Sequence, residues 1–203
     1  MKRIGVLLAA GESRRMGRPK QLLPWPPKSE NAKPMVAAAF DAIARVCDEM
    51  FVVLGHQADE VMAALAGRKF RYYTFAQPHE MFRSVVMGLA LGRVVSHAEF
   101  ELPTQLLLHL GDHPLVRRDT LEVILTAAAE KSEQAVMPTY RGRGGHPVLI
   151  PSAVAKLIGS FDGHGGLRRF WLEHPELCHR LPVDDPGVVF DVDTPSDYDF
   201  YVQ

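Results

Sequence analysis

The sequence predicts an α/β protein built on a largely parallel sheet, and three observations predict it. Ile4 to Ala10 is an apolar run rich in Val and Leu, the pattern of a strand buried on both faces, and it breaks into a loop of small, polar and basic residues. Beyond it, apolar segments of strand length alternate with segments of helical spacing, the order that gives parallel strands joined by right-handed crossovers. The most apolar strand, Gln105 to Leu110, delivers Asp112 to the edge where open parallel sheets bind ligands.

After the first strand, Gly11 and Gly17 can take positive φ and bring backbone N–H donors close to an anion. Arg14, Arg15, Arg18 and Lys20 place four cations within seven residues, and a guanidinium fork matches phosphate oxygens in a bidentate way. The loop reads as a cradle for a polyphosphate, with a plain structural turn as the alternative that glycine alone leaves open. It is not a P-loop, because Arg18-Pro19 follows Gly17 where Lys and Ser/Thr would be needed. Nor is it the dinucleotide G-x-G-x-x-G, because Ser13 stands two residues after Gly11.

The segment Pro24 to Pro34 carries four prolines and several charges and is expected to be irregular, either a mobile loop beside the site or a surface connection. Helical spacing is expected over 35–46, a strand over 49–54 ending at Gly55-His56, a helix over 58–66 and a strand over 70–75. Pro78 ends that strand, and a helix over 81–95 puts Ser84 in its first turn, where free N–H groups favour an anion or a polar base edge.

The strand over 105–110 leads into Gly111-Asp112-His113-Pro114. A carboxylate leaving a buried strand beside a basic loop is well placed to hold Mg²⁺ against phosphates, since Mg²⁺ takes one or two carboxylates plus phosphate oxygens. A simple turn with Asp112 as a helix cap is the alternative. His109 and His113 stay outside the metal set, because a histidine in an apolar strand is usually packed or hydrogen-bonded and Mg²⁺ prefers oxygen.

A helix is expected over 118–131 and a strand over 135–140. Arg141 to Pro147 holds three glycines and two arginines ahead of an apolar strand from Val148, which on the residues alone is a flexible hairpin. Phe161 to Arg169 reads as a loop opening a helix over 167–174, with Arg168 and Arg169 either reaching an acceptor phosphate or lying on a solvated face. Val188 to Phe190 reads as a strand that ends in Asp191 and Asp193 on one side, and Thr194 as the cap of a last helix with Pro195 at its first position.

Composition bounds the function. At 203 residues the chain suits one domain, 1–203. A formal net charge of −1 argues against a surface built to bind nucleic acid, so the basic cluster at 14–20 is a local site. Cys47 and Cys178, far apart and without a C-x-x-C partner, support neither a disulfide framework nor a cysteine zinc site. The apolar start meets Gly11, Glu12 and arginines too soon for a signal peptide or a membrane span, so the expected location is the cytoplasm, with no membrane partner.

Leu8 to Lys20 fills every fixed position of L-A-A-G-x-S-x-R-M-G-x-x-K and so resembles the MobA/MocA-like nucleotidyltransferases of molybdenum cofactor maturation. Gly111-Asp112-x-Pro114, Gly145-His146-Pro147-Val148-Leu149 and Asp191-Val192-Asp193-Thr194-Pro195-x-Asp197 follow in family order, so the resemblance runs along essentially the whole chain. In P-x-x-x-G-M-x-x-S-L this chain keeps Pro78, Ser84 and the apolar residue after it but has Met81-Phe82 or nearby residues where Gly-Met is usual, which bears on base specificity.

The resemblance implies a doubly wound, three-layer αβα fold, Rossmann-like and of the nucleotide-diphospho-sugar transferase type. It also implies transfer of a nucleoside monophosphate from a nucleoside triphosphate to a phosphorylated acceptor, with Mg²⁺ as cofactor. Arg15 would meet the β,γ-phosphates and Lys20 the α-phosphate. Leu8, Ala9, Ala10, Gly11, Ser13, Arg14, Pro78, Ser84 and Gly111 would bind the nucleotide. Gly145, His146 and Pro147 would face the acceptor, and Asp112 with Asp193, or Asp191 as fallback, would hold the metal.

Ala9-Ala10-Gly11 rather than Ala-Gly-Gly is similar to the cytidylyl branch, which implies CTP, molybdopterin as acceptor, and a molybdenum hydroxylase or its maturation factor as partner. Two alternatives stand beside it: a transferase for a sugar or alcohol phosphate, and a non-catalytic carrier of the pterin cofactor. A hydride-transferring enzyme is disfavoured by the missing dinucleotide fingerprint.

Overall fold

The computed structural model describes residues 1–11, 13, 16, 19–77, 79–99, 104–192 and 194–200. The expectations for Arg14, Arg15, Gly17, Arg18, Pro78 and Asp193 lie outside the described residues.

Strands β1 (Lys2–Ala9), β4 (Glu49–Leu54), β5 (Arg71–Thr74) and β6 (Thr104–Leu110) run parallel, with β1 between β4 and β6. On the other side of β6 come β9 (Val148–Pro151), antiparallel to both neighbours, then β7 (Ala135–Tyr140) and the edge strand β10 (Cys178–Pro182). The two-residue β8 (Arg143–Gly144) folds back on β7, and the order is β10-β7-β9-β6-β1-β4-β5.

The alternation along each strand dictates the layers. Ile4, Val6 and Leu8 of β1, with Leu106 and Leu108 of β6, face α3 (Met81–Glu99), α5 (Ser152–Ser160) and α6 (Gly166–Glu173). Leu7, Ala9 and Leu107 face the other way, onto α1 (Met35–Ala44), α2 (Ala58–Ala64) and α4 (Arg118–Glu130). Because β1 and β6 have helices on both faces, their centres, Ile4 to Ala9 and Leu106 to Leu108, are apolar without a break, as a doubly wound sheet requires. No helix of the described residues is long and apolar enough to cross a membrane.

Three expectations are corrected. The segment 24–34 is not wholly irregular: β2 (Pro24–Trp25) and β3 (Lys33–Pro34) pair antiparallel at its two ends. Trp25 is buried against Tyr198 of α7 (Pro195–Phe200), whose hydroxyl donates to the Pro24 carbonyl at 2.8 Å. Residues 188–190 are not a strand; Pro186–Val188 is a 3-10 turn, because the buried Asp185 carboxylate accepts from the N–H groups of Gly187 and Arg117 and from the Thr120 hydroxyl. Helix α5 and strand β10 are additional elements: α5 buries only Val154, Ala155 and Ile158, and β10 is a partly exposed edge strand without an apolar run. The last helix starts as expected, with reciprocal bonds: Thr194 Oγ1 accepts from Asp197 N–H, and the Asp197 carboxylate accepts from Thr194 N–H.

Asp41 of α1 ties the end of the 24–34 segment to the sheet layer. It accepts from Lys33 Nζ at 2.5 Å and from the Arg68 guanidinium at 2.7 and 2.8 Å. Burial raises its pKa, but the bonds and charges of Arg68 and Lys33 outweigh burial and hold it below the ordinary 3.8. A depressed carboxyl adds stability that is present above its unfolded pKa and is lost as pH falls through the folded value. Asp41→Asn is therefore expected to lower Tm by about 1–4 °C at pH 7, for a loss of roughly 0.5–1 kcal/mol, with the gap to wild type closing below about pH 4. Thermal unfolding of both proteins across pH 3–7 measures this.

Candidate active site

The carboxyl ends of β1, β4 and β6 meet where the strand order reverses, with β4 and β5 laid to one side of β1 and β6 to the other. Crossovers leave in opposite directions there, which opens a crevice. A cavity of about 670 Å³ fills it, lined by Leu8, Ala10, Gly11 and Ser13 from the first turn, Lys20 and Gln21, Gly55 and His56 after β4, Gln77 to Ser84 in part, Leu110, Asp112 and Asp191.

The first turn is closed by its own side chains. The Lys20 N–H donates to Ser13 Oγ at 3.1 Å, and Met16 N–H donates to the Ser13 carbonyl at 2.9 Å. The left-handed backbone expected of Gly11 falls instead on Ser13, with φ 53°, and Gly11 is not among the positive-φ glycines described. A Cβ at Gly11 would approach nothing nearer than 3.8 Å, so neither backbone strain nor packing demands glycine there. What its missing side chain leaves is open space over the cavity.

Lys20 and Asp112 form the charged centre: Nζ and Oδ2 are 2.5 Å apart, with side chains 11% and 18% exposed. Such an ion pair, largely withdrawn from solvent, is screened far less than a surface pair. Asp191 lines the same cavity, so two carboxylates and a lysine converge without help from the residues outside the description. Two oxygen-donating side chains in the cavity beside the first turn fit a hard divalent ion that completes its shell with other oxygen ligands and water. Among the described residues no group of three or more His, Cys, Asp or Glu side chains forms a self-sufficient metal cage.

The Ser84 side was only partly legible. Ser84 is buried in the first turn of α3, and its hydroxyl lies 2.7 Å from His79 Nε2. His79 Nδ1 donates to the Gln77 carbonyl at 3.1 Å, so in the neutral imidazole Nε2 is the acceptor for the Ser84 hydroxyl. The His79 ring stacks on Phe75 with centroids 3.6 Å apart. With that tautomer the Ser84 proton is engaged and its oxygen lone pairs remain for the cavity it lines.

Other expected contacts are placed differently. Ala9 is buried in the helix-facing core, and Gly111 spends its N–H on the Leu8 carbonyl at 2.9 Å; neither lines the cavity. Gly145, His146 and Pro147 do not line it either. Gly145 N–H donates to the Pro138 carbonyl, His146 N–H donates to the Val188 carbonyl, and a Cβ on Gly145 would lie 2.3 Å from that carbonyl oxygen. The 186–188 turn thus requires a glycine here by itself.

Residues 5–177 match the family described as the MobA-like NTP transferase domain. The chain belongs to that family. Among MobA-like relatives, it is 28% identical to nicotine blue oxidoreductase of Paenarthrobacter nicotinovorans, over 94% of this chain and 91% of that one. It is 21% identical to the molybdenum cofactor cytidylyltransferase of Escherichia coli K12, over 95% and 92% of the two chains. Of solved structures, Rv0371c from Mycobacterium tuberculosis H37Rv superposes with a TM-score of 0.79 at 27% identity, covering 98% and 97% of the chains. The same protein in complex with manganese gives 0.75 at 28%, covering 99% and 98%. The family and the doubly wound fold are those the sequence predicts.

In this MobA-like site, Gln21, His56 and His79 line the cavity but were not among the expected residues. Gln21 follows Lys20 in a 3-10 turn (Lys20–Leu22), His56 directly follows the β4 strand, and His79 precedes α3. Position after a strand end was the available signal for His56. Gln21 and His79 carry none, because the folding of their loops, not their spacing, aims them.

Proposed function

We propose that this chain transfers a nucleoside monophosphate from a nucleoside triphosphate to a phosphorylated acceptor with release of pyrophosphate, CTP and molybdopterin being the favoured pair. The observation that carries the reading is the Lys20–Asp112 pair, set in one cavity with the Gly11–Ser13 turn and Asp191 at the switch point of the sheet. Membership of the MobA-like family and the likeness to a cytidylyltransferase support it.

In this reading an oxygen of the acceptor phosphate attacks the α-phosphorus in line. The new P–O bond forms as the bond to the bridging oxygen breaks, and that electron pair leaves with pyrophosphate. Such a displacement needs positioning and charge neutralisation more than covalent help. Lys20 neutralises the α-phosphoryl oxygens, Arg15 the β,γ-phosphates, and the backbone of the first turn fixes the nucleotide. Mg²⁺, when bound, supplies Lewis-acid charge neutralisation, and Asp112 with Asp191 or Asp193 would hold it.

The test is a panel of CTP, GTP, ATP and UTP with Mg²⁺, read by thermal shift and by pyrophosphate release with molybdopterin, sugar phosphates or alcohol phosphates as acceptor. A ligand at 100 times its Kd stabilises by about 2.7 kcal/mol, so the preferred nucleotide should raise Tm by several degrees. Absence of both a shift and pyrophosphate with every triphosphate would overturn the reading. The oxidoreductase relative favours a second one: the same turn could take the diphosphate of a nicotinamide dinucleotide, despite the missing fingerprint. A Tm rise with a reduced nicotinamide dinucleotide and none with triphosphates would select it.

A further inference from the structure

Asp112 sits on a short turn after β6, and among the described residues hydrogen bonds of three kinds hold that turn. Gly111 N–H donates to the Leu8 carbonyl at 2.9 Å and His113 N–H donates to the Leu110 carbonyl at 3.2 Å. The third comes from a side chain: His109 Nε2 lies 2.9 Å from the His113 carbonyl. The first two are backbone bonds that many sequences could form. The third requires a particular residue inside the most buried strand.

His109 is 0% exposed, at a place where its strand neighbours Leu106, Leu107 and Leu108 are all apolar. A buried imidazole is costly unless it makes a bond that matters. Its partner is a carbonyl, so Nε2 carries the proton, and Nδ1 is left as a buried lone pair without a hydrogen-bond partner among the described residues. Burial first, then the rings of His113 and His146, hold its pKa well below the ordinary 6.5. The ring is therefore neutral, with a fixed tautomer and one donor aimed at the far end of the Asp112 turn. The His113 ring stands beside it with centroids 6.1 Å apart, and His146 packs on His113 at 5.6 Å, closing the turn from below the strand end.

We infer that His109 is a positioning residue for Asp112: its Nε2–H bond to the His113 carbonyl holds the turn so that the carboxylate stays at the Lys20 ammonium and at the divalent-ion position. The inference rests on the proposed function for the role of that ion, and on the turn geometry for everything else.

The test compares His109→Gln, His109→Asn and His109→Leu in the full chain. A glutamine amide nitrogen reaches about where Nε2 stands and can donate to the His113 carbonyl. An asparagine nitrogen falls nearer Nδ1 and cannot, and leucine fills volume with no donor. Mn²⁺ binding measured by electron paramagnetic resonance, with and without CTP, should weaken on the order of 10- to 100-fold in the Leu and Asn variants and recover to within a few-fold of wild type in the Gln variant. The kcat for pyrophosphate release should follow the same order while the nucleotide KM moves little.

Thermal unfolding separates packing from positioning, since a merely structural role would make Mn²⁺ affinity independent of which variant keeps the donor. Equal Mn²⁺ affinity in all four folded proteins, or a Gln variant as weak as Leu, would overturn the inference while leaving the transferase reading intact. Wild-type Mn²⁺ binding with Gln rescue, but no turnover of any triphosphate, would support the inference and sink the transferase reading. A wild type that binds no Mn²⁺ would overturn the inference.

Discussion

Asp112→Asn is expected to cut pyrophosphate release by 100-fold or more, with nucleotide binding by thermal shift reduced far less. The carboxylate is 2.5 Å from Lys20 and shares a cavity with Asp191, so on the proposed reading its charge would hold both the ammonium and the divalent ion that neutralise the phosphates. Loss of one preorganised charge contact costs on the order of 10²–10³ in rate, about 3–4 kcal/mol of barrier. Asparagine keeps the shape and can still meet the turn, so the fold should hold and Tm should change by only a few degrees. The reciprocal change, Lys20→Ala, should fall by a similar factor and should not add fully to Asp112→Asn in the double variant, because the two groups are in direct contact and act as a unit. A fully additive double variant would show that they serve separate steps, and an Asp112→Asn protein as active as wild type would remove Asp112 from the transfer machinery.

How far the site could be read in the sequence depended on how local its signals are. The first turn and Asp112 were legible because each follows a buried strand directly, and a strand end fixes both direction and edge. The Thr194 cap was legible for the same reason, since Thr-Pro-x-Asp carries its hydrogen-bond pattern within four residues. What failed was set by contacts distant in sequence. Val188 to Phe190 has the composition of a strand, yet Asp185 draws its bonds from Arg117 and Thr120, nearly seventy residues earlier, and winds the chain into a turn. His109 was read as packed or hydrogen-bonded, which it is, but its partner follows from the turn of the backbone after Leu110.

Gly145 shows the same distinction in its strongest form and gives the second large effect. Gly145→Ala would place a methyl group 2.3 Å from the Val188 carbonyl oxygen and 2.7 Å from its carbon, both backbone atoms that cannot rotate away. The 186–188 turn is held from behind by the buried Asp185, so relief requires breaking the His146 N–H bond to that carbonyl, at 2.7 Å, or shifting β9. Overpacking of this kind costs about 1–3 kcal/mol, and more when backbone must move. A loss of about 3 kcal/mol corresponds to a Tm drop of roughly 6–12 °C in a chain of this size. Gly142→Ala, three residues earlier, meets nothing within 4 Å and should lose only the cost of its φ of +79°, about 1 kcal/mol. If the glycine served the acceptor instead, Gly145→Ala would keep its Tm and raise only the acceptor KM. Thermal unfolding of the two alanine variants, with acceptor titrations alongside, decides between a clash with Val188 and a contact with substrate.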